Sequence, residues 1–246
     1  MIWSNDKLKA DIEREKQLER MRRDFIAGVS HELKTPLSLI SGYAEGLKDN
    51  IGNDAKRVHY AEVILEEAQR MSAIVADMLD LSYLESGRYA LDWDVFDLHP
   101  LLREAAERAE ALGERKKVRV NVAFPETAGE SLPVRGDIKR IGQVLTNLLS
   151  NAVRHSVECG TVRLGVSVSE DEAEISVHNE GEPIPEEELS RIWVQFYRTD
   201  KSRSRESGGS GIGLAIVRQI LVLHGSRYGV RNEAGGVTFS FTLKRG

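Results

Sequence analysis

The sequence predicts an α+β chain in two parts: a helical hairpin that pairs with a second copy into a four-helix bundle, followed by an α/β sandwich. Three observations predict it. Apolar residues recur every three or four positions through the first third of the 246 residues, and they alternate in period two through short segments of the remainder. The two regimes meet at the turn-forming run Glu85-Ser86-Gly87.

Residues 6–86 read as helix almost throughout. Asp6 to Arg23 is rich in Lys, Glu and Arg, with spaced Leu8, Ile12, Leu18 and Met21, the pattern of a charged coiled-coil approach. The apolar series continues as Phe25, Val29, Leu33, Leu37, Ile40, Ala44 and Leu47. Lys48 to Asp54 holds Asp49-Asn50, Gly52 and Asn53-Asp54, helix-ending turn chemistry. A second stripe follows through Val58, Ala61, Leu65, Ala68, Met71, Val75, Met78 and Leu81. Two helices of about 30 residues make a hairpin about 45 Å long. Alone it offers too little apolar partner surface, so a homodimer is expected.

The remainder mixes strands and helices. Leu91 to Asp97 reads as a strand, Leu98 to Gly113 as a helix and Val118 to Phe124 as a strand. Asp137 is placed to N-cap a helix running to about His155. Val162, Leu164, Val166 and Val168 alternate, as do Ala173, Ile175 and Val177 beyond the polar turn Glu170-Asp171-Glu172; this is an antiparallel hairpin. Ala215 to His224 reads as a helix, and Val237, Phe239, Phe241 and Leu243 give a terminal strand. Helices should cover one face of the sheet.

Composition excludes several classes. Apolar residues are 41% and charged residues 30%, which suits a packed globular chain. The net charge of −5 gives no electrostatic footprint for nucleic acid. One cysteine, Cys159, rules out an intramolecular disulfide framework and suits a reducing compartment. No run approaches the roughly 18 to 20 apolar residues that span a bilayer. The six histidines never fall at metal-ligand spacings.

Four segments carry candidate chemistry. His31, in Ser30-His31-Glu32-Leu33-Lys34-Thr35-Pro36-Leu37, lies off the apolar stripe. An exposed imidazole is largely neutral near pH 7 and offers one nucleophilic nitrogen; Glu32 is placed to hydrogen-bond the other. Pro36 removes a backbone donor just past it, which predicts a kink. By itself, however, such a histidine is an ordinary surface residue. In the helix from Asp137, residues Ile141, Val144, Leu145, Leu148, Leu149 and Ala152 form an apolar face, and Asn147, Asn151, Arg154 and His155 share the other. Amide oxygens one turn apart suit Mg²⁺, and Arg154 suits a phosphate. Asn179-Glu180-Gly181-Glu182-Pro183-Ile184-Pro185 makes a rigid turn, plausible as a wall against a base. Gly208-Gly209-Ser210-Gly211-Ile212-Gly213-Leu214 opens a helix, where backbone N–H groups and the helix dipole favour phosphate. Between these two lies the basic run Arg198, Lys201, Arg203, Arg205, suited to closing over a triphosphate.

The string Ser-His-Glu-Leu-Lys-Thr-Pro-Leu resembles the H-box of two-component sensor histidine kinases. Downstream, Asn147/Asn151, Asn179 to Pro185, Phe196-Tyr197-Arg198, the glycine loop and Gly235-Gly236-Val237-Thr238-Phe239 follow the order of that family's ATP-binding domain, whose fold is shared with gyrase, heat-shock chaperone and mismatch-repair ATPases. The resemblance covers about residues 20 to 246. It implies ATP-dependent phosphorylation of His31, assisted by Glu32, then transfer to an aspartate of a response-regulator receiver domain. It also implies phosphatase activity in which Thr35, spaced as Glu32-x-x-Thr35, positions a water. The implied nucleotide contacts are Asn147, Asn151, Arg154, His155, Asn179, Gly181, Ile184, Phe196, Tyr197, Arg198, Gly209, Gly211, Ile212, Gly213, Leu214 and Thr238, with Mg²⁺ on Asn151 and Asn147. The implied organisation is a signal helix over 1–20, a dimerisation and phosphotransfer domain over 21–87, a hinge over 88–94 and the catalytic domain over 95–246. The chain resembles the cytoplasmic portion of a membrane-anchored protein whose spans lie upstream. Three positions depart from the family pattern: Asn179 stands where an aspartate usually accepts from the adenine amino group, Pro183 replaces a glycine, and Val194 occupies a commonly acidic position. A phosphatase-dominant chain, or a catalytically weak nucleotide-binding scaffold, is the alternative.

Overall fold

The structure is a computed structural model. It describes residues 2–49, 51–124, 131–197 and 211–246, without the side chains of residues 2–14, 17, 18, 20–22 and 24. The approach residues Leu8, Ile12, Leu18 and Met21 therefore have side chains outside the description, and Arg198, Gly208, Gly209, Ser210 and the basic run 201–205 lie outside it entirely. The chain forms two compact units, Met1–Ala76 and Asp77–Gly246.

The first unit is the hairpin. Helix α1 spans Ile2–Lys48 and α2 spans Asp54–Glu85. Asn53 starts α2 by accepting from the backbone N–H of Lys56 at 3.1 Å, an N-terminal capping bond. Gly52, at φ 103°, makes the turn that a side chain would resist. The helices meet through Tyr43 and Tyr60, ring centroids 5.2 Å apart. Helix α1 runs through Pro36, which is buried and leaves the Glu32 carbonyl without its usual donor. The face turned to the partner helix includes Phe25, Val29, Leu33, Tyr60, Ile64 and Ile74. Much of the second apolar stripe lies elsewhere: Val58, Leu65 and Val75 are exposed on α2, as are Ile26 and Leu37 on α1.

The second unit begins with the last turns of α2, where Leu81 and Leu84 are fully buried. Then come β1 (Asp94–Asp97), α3 (Leu98–Gly113), β2 (Arg119–Ala123), β3 (Pro133–Gly136), α4 (Ile138–His155), β4 (Thr161–Val168), β5 (Glu172–Glu180), α5 (Gly213–His224), β6 (Tyr228–Glu233) and β7 (Gly236–Arg245). The strands form one sheet in the order β1-β3-β7-β5-β4-β2, with β6 also on β7. All pairs are antiparallel except β2 with β4.

Alternation decides the faces. Leu164, Val177 and Phe239 stand in register, as do Val166, Ile175 and Phe241. This apolar face packs against α3, α4 and α5, with the core at the buried Ile141, Leu145, Leu148, Ile216 and Ile220. Asn179 falls in the same row, opposite Val162 and Val237, so it sits at the end of the apolar face. The other face carries Arg163, Ser176, His178, Thr238 and Ser240. Strands β3 and β6 are short additions that periodicity did not reveal.

Candidate functional site

In the first unit, the imidazole of His31 is 81% exposed while the Glu32 carboxylate is 13% exposed. Glu32 Oε1 stands 3.8 Å from His31 Nδ1, within ion-pairing distance but beyond a hydrogen bond. Thr35 Oγ1 donates to the His31 carbonyl at 3.4 Å and Ser38 to that of Lys34 at 2.9 Å. These hydroxyls lean on the helix instead of interrupting it.

In the second unit, α4 organises the nucleotide side. Asp137 caps it, accepting from the N–H groups of Lys139 and Arg140, each at 3.1 Å. Burial alone would raise the Asp137 pKa, but the N–H groups of Arg140 and Asp92, the Tyr89 hydroxyl and His224 hold it below the carboxylate range. The buried face of α4 is Ile141, Val144, Leu145, Leu148, Leu149, Ala152 and Val153. Asn147 and Asn151 are half-buried on another face, with Arg154 half-buried and His155 exposed at its end. Asn147 Nδ2 donates to the Gly213 carbonyl at 3.3 Å. This bond joins α4 to the start of α5 and turns the amide nitrogen of Asn147 to Gly213, so its oxygen is the atom that could ligate a metal. Two such oxygens one turn apart fit a hard dication that keeps several waters.

The turn after β5 closes on the other end of α4. A Cβ at Gly181 would stand 2.6 Å from the His155 carbonyl oxygen, so only glycine allows that approach. The N–H of Gly181 donates to the Gly235 carbonyl at 3.1 Å. Asn179 is 3% exposed at the turn's base. Ile184 is held on both sides by Asn232, which accepts from its N–H at 2.9 Å and donates to its carbonyl at 2.7 Å. Asn232 was missed from sequence because β6 was missed; its bidentate grip on a backbone has no sequence signature.

The Phe196 turn is fixed to the start of α5. Phe196 adopts φ 59°, and its N–H donates to the Gly211 carbonyl at 2.9 Å. Gly211, at φ 69°, lies so near Phe196 that an added Cβ would stand 2.9 Å from its Cα. The Tyr197 ring lies under the Arg191 guanidinium at 4.5 Å. Ile212 is fully buried and Leu214 half-buried. Thr238 is placed differently: paired with His178, it faces the side of the sheet opposite Asn179. Its hydroxyl donates to Glu233 at 2.7 Å and lies 2.9 Å from His178 Nδ1. Burial and the nearby Arg163 lower the His178 pKa.

A network at the start of α4 also escaped the sequence. Asp80 on α2 accepts from Arg140 Nη1 at 2.8 and 2.9 Å and from Gln143 Nε2 at 2.7 Å. Arg140 Nε donates to the Tyr89 hydroxyl at 2.9 Å, and that hydroxyl donates to Asp137 at 3.2 Å. The segment 88–93, without regular structure, is thus tied to the α4 cap.

A phosphoacceptor-type helical hairpin followed by a nucleotide-type sandwich defines a class of two-domain signalling ATPases. Comparison with known proteins agrees. Residues 21–87 match the His Kinase A (phospho-acceptor) domain, and residues 136–246 match the histidine kinase-, DNA gyrase B- and HSP90-like ATPase domain. The chain is 34% identical over 232 residues to the phosphate regulon sensor protein PhoR of Pseudomonas aeruginosa, covering 94% of this chain and 52% of that protein. It is 34% identical over 238 residues to the sensor histidine kinase WalK of Bacillus subtilis, covering 95% and 38%. Among solved structures, histidine kinase ThkA in complex with the response regulator TrrA superposes with a TM-score of 0.75 at 27% identity, covering 98% of this chain and 66% of that one. Full-length ShkA in complex with AMPPNP gives 0.67 at 26% identity, covering 91% and 46%. The chain belongs to the two-component sensor histidine kinases. It spans about half the length, or less, of these two curated relatives. Among the described residues, no helix is long and apolar enough to cross a membrane.

Proposed function

We propose that this chain is an ATP-dependent protein-histidine kinase that phosphorylates His31 and passes the phosphoryl group to an aspartate of a response-regulator receiver domain. The observation that carries the reading is the Asn147–Gly213 bond: it gathers a pair of metal-type amides and a glycine-flanked helix N-terminus in a chain that also carries an exposed histidine beside a sequestered carboxylate. ATP binding is supported by the matched ATPase domain and by the AMPPNP complex of ShkA. A receiver-domain partner is supported by the ThkA–TrrA complex.

Asn151 and Asn147 would hold Mg²⁺, which neutralises phosphate charge as the terminal phosphoryl leaves. The N–H groups at the start of α5 receive phosphate oxygens. Asn179 accepts from the adenine amino group through a neutral amide, a weaker acceptor than a carboxylate. At His31, Nδ1 faces Glu32, so Nε2 is the attacking atom. The Nε2–P bond forms, the bond from the terminal phosphorus to its bridging oxygen breaks, and ADP leaves. The positive charge that develops on the ring is met by Glu32, which takes the Nδ1 proton. Glu32 and Thr35 also support phosphatase activity toward the regulator, in which Thr35 positions the water that attacks its aspartyl phosphate and inorganic phosphate leaves. We also propose a homodimer, because Ile26, Leu37, Val58, Leu65 and Val75 are exposed apolar residues on both helices and a second hairpin would cover them. The full-length protein is then a membrane-anchored sensor with this portion in the cytoplasm.

Incubation with Mg·[γ-³²P]ATP tests the kinase reading. Acid-labile, alkali-stable label that disappears in His31→Gln is expected. No label despite measurable ATP binding refutes it and favours the phosphatase-dominant or scaffold reading, to which the neutral Asn179 lends support.

A further inference from the structure

The two oxygens of the Glu32 carboxylate stand near side chains on different helices. Oε1 stands 3.8 Å from His31 Nδ1 on α1, and Oε2 stands 3.8 Å from Arg70 Nη2 on α2. The side chains differ sharply in exposure: His31 81%, Arg70 34%, Glu32 13%. A carboxylate withdrawn this far from water requires a compensating charge. Arg70 supplies one from α2, on a planar guanidinium. Glu67, one helical turn before Arg70, has a buried carboxylate oxygen without a hydrogen-bond partner.

We infer that Arg70 is a positioning residue for phosphoryl transfer at His31. It holds Glu32 from the opposite helix so that one carboxylate oxygen faces Nδ1, which fixes the proton there and leaves Nε2 as the nucleophile. Arg70 touches neither the substrate nor the reacting nitrogen; it acts through Glu32. A carboxylate with free χ angles would sample many orientations beside an exposed ring. Anchoring it across the hairpin removes that freedom before ATP arrives, which is how preorganised charge contributes to rate. The inference rests on the reading of His31 as phosphoacceptor.

The experiment uses the full chain and four variants: Arg70→Gln, Arg70→Lys, Glu32→Gln and Glu32→Gln/Arg70→Gln. The first readout is the initial rate of labelling by Mg·[γ-³²P]ATP, with circular dichroism to confirm the helices. Arg70→Gln should slow labelling about 10- to 100-fold, less than the roughly 100- to 10,000-fold that a positioned acid–base group itself contributes, because Glu32 remains. Arg70→Lys should recover most of that loss. The double variant should be no slower than Glu32→Gln alone, because Arg70 acts through Glu32. The second readout needs no turnover: ¹⁵N shifts of the His31 ring report which nitrogen carries the proton. The Nδ1–H tautomer should fall in Arg70→Gln and in Glu32→Gln by the same amount, with no further fall in the double variant. Losses that multiply in the double variant, or an Arg70→Gln rate within twofold of the parent, overturn the inference. If the parent takes no label, the kinase reading fails instead. The tautomer series then decides on Arg70, and an unchanged tautomer in Arg70→Gln overturns it.

Discussion

Replacing Asp80 with alanine should release the last turns of α2 and the segment after them without unfolding the sheet. Asp80 accepts two contacts from Arg140 and one from Gln143, all between 2.7 and 2.9 Å. Its side chain is 24% exposed and that of Arg140 16%. The pair therefore falls between two known cases. Exposed ion pairs contribute about 0–1 kcal/mol, whereas removing one partner of a buried pair costs about 3–5 kcal/mol. Arg140 keeps the Tyr89 hydroxyl and the Gln143 carbonyl oxygen as partners, so the stranded cation is partly compensated. A loss of about 2 kcal/mol follows, which corresponds to roughly 30-fold faster opening. Amide hydrogen exchange on the full chain measures it. Peptides within 78–92 should exchange about 30-fold faster in Asp80→Ala, while those of β5 and β7 stay as in the parent. Asp80→Asn keeps the shape and loses the charge, and should give an intermediate value. Exchange within threefold of the parent over 78–92 would mean that the contacts to Arg140 and Gln143 hold nothing, and the reasoning would be wrong.

Three further outcomes are expected. Asn179→Asp should tighten ADP binding about tenfold by calorimetry, since a charge-assisted acceptor exceeds a neutral one by about 1.4 kcal/mol; unchanged affinity would place the base elsewhere. Gly181→Ala should lower the melting temperature and abolish nucleotide binding, because its Cβ would meet the His155 carbonyl at 2.6 Å, and a normal melt would show that the turn yields. His224 accepts from the Asp137 N–H at 3.0 Å and pairs with the Ile220 carbonyl at 2.8 Å, and burial lowers its pKa. The unfolded chain therefore binds the proton more readily, so stability should be present above the ordinary value near 6.5 and be lost as pH falls below it; His224→Gln should flatten the fall in melting temperature between pH 7.5 and 5.5.

Legibility followed the physics of each element. Helix α4 could be read to its boundaries because Asp137 announces the cap and seven buried residues recur at helical spacing. Strands β4, β5 and β7 were readable because one face is buried along most of their length, so alternation is written into the residues. Strand β3 has four residues, and β6 lies at a margin of the sheet with little burial; neither has enough alternating positions to stand above a loop. On α2 the apolar stripe through Val58, Leu65 and Val75 proved to be exposed in a single chain, because Tyr60, Ile64 and Ile74 serve the hairpin interior. Periodicity reports that a face is apolar, not which partner it meets. The polar contacts made by Asn232, Asp80 and Arg70 were illegible for a different reason: each joins residues far apart in the chain, and no local pattern encodes the pairing.

The end of α2 is bonded to three of the elements that carry candidate nucleotide residues of its unit: α4, the Phe196 turn and α5. Asp80 binds Arg140 and Gln143 on α4. Gln195, beside the Phe196 turn, donates to Glu85 at 2.7 Å, and Gln219 on α5 donates to the Leu84 carbonyl at 3.2 Å. Burial raises the Glu85 pKa while Gln195 and Arg218 oppose it. Arg140 and Gln143 precede Asn147 on α4 by seven and four residues, and hence share its side of the helix. The last turns of α2 and the asparagines therefore meet on one element, α4. The fastening is made of hydrogen bonds and an ion pair whose side chains are mostly withdrawn from water. Buried apolar contact at Leu81 and Leu84 supplies affinity without direction. The polar set fixes which residues meet, so the joint is specified by hydrogen bonds and held by the buried leucines.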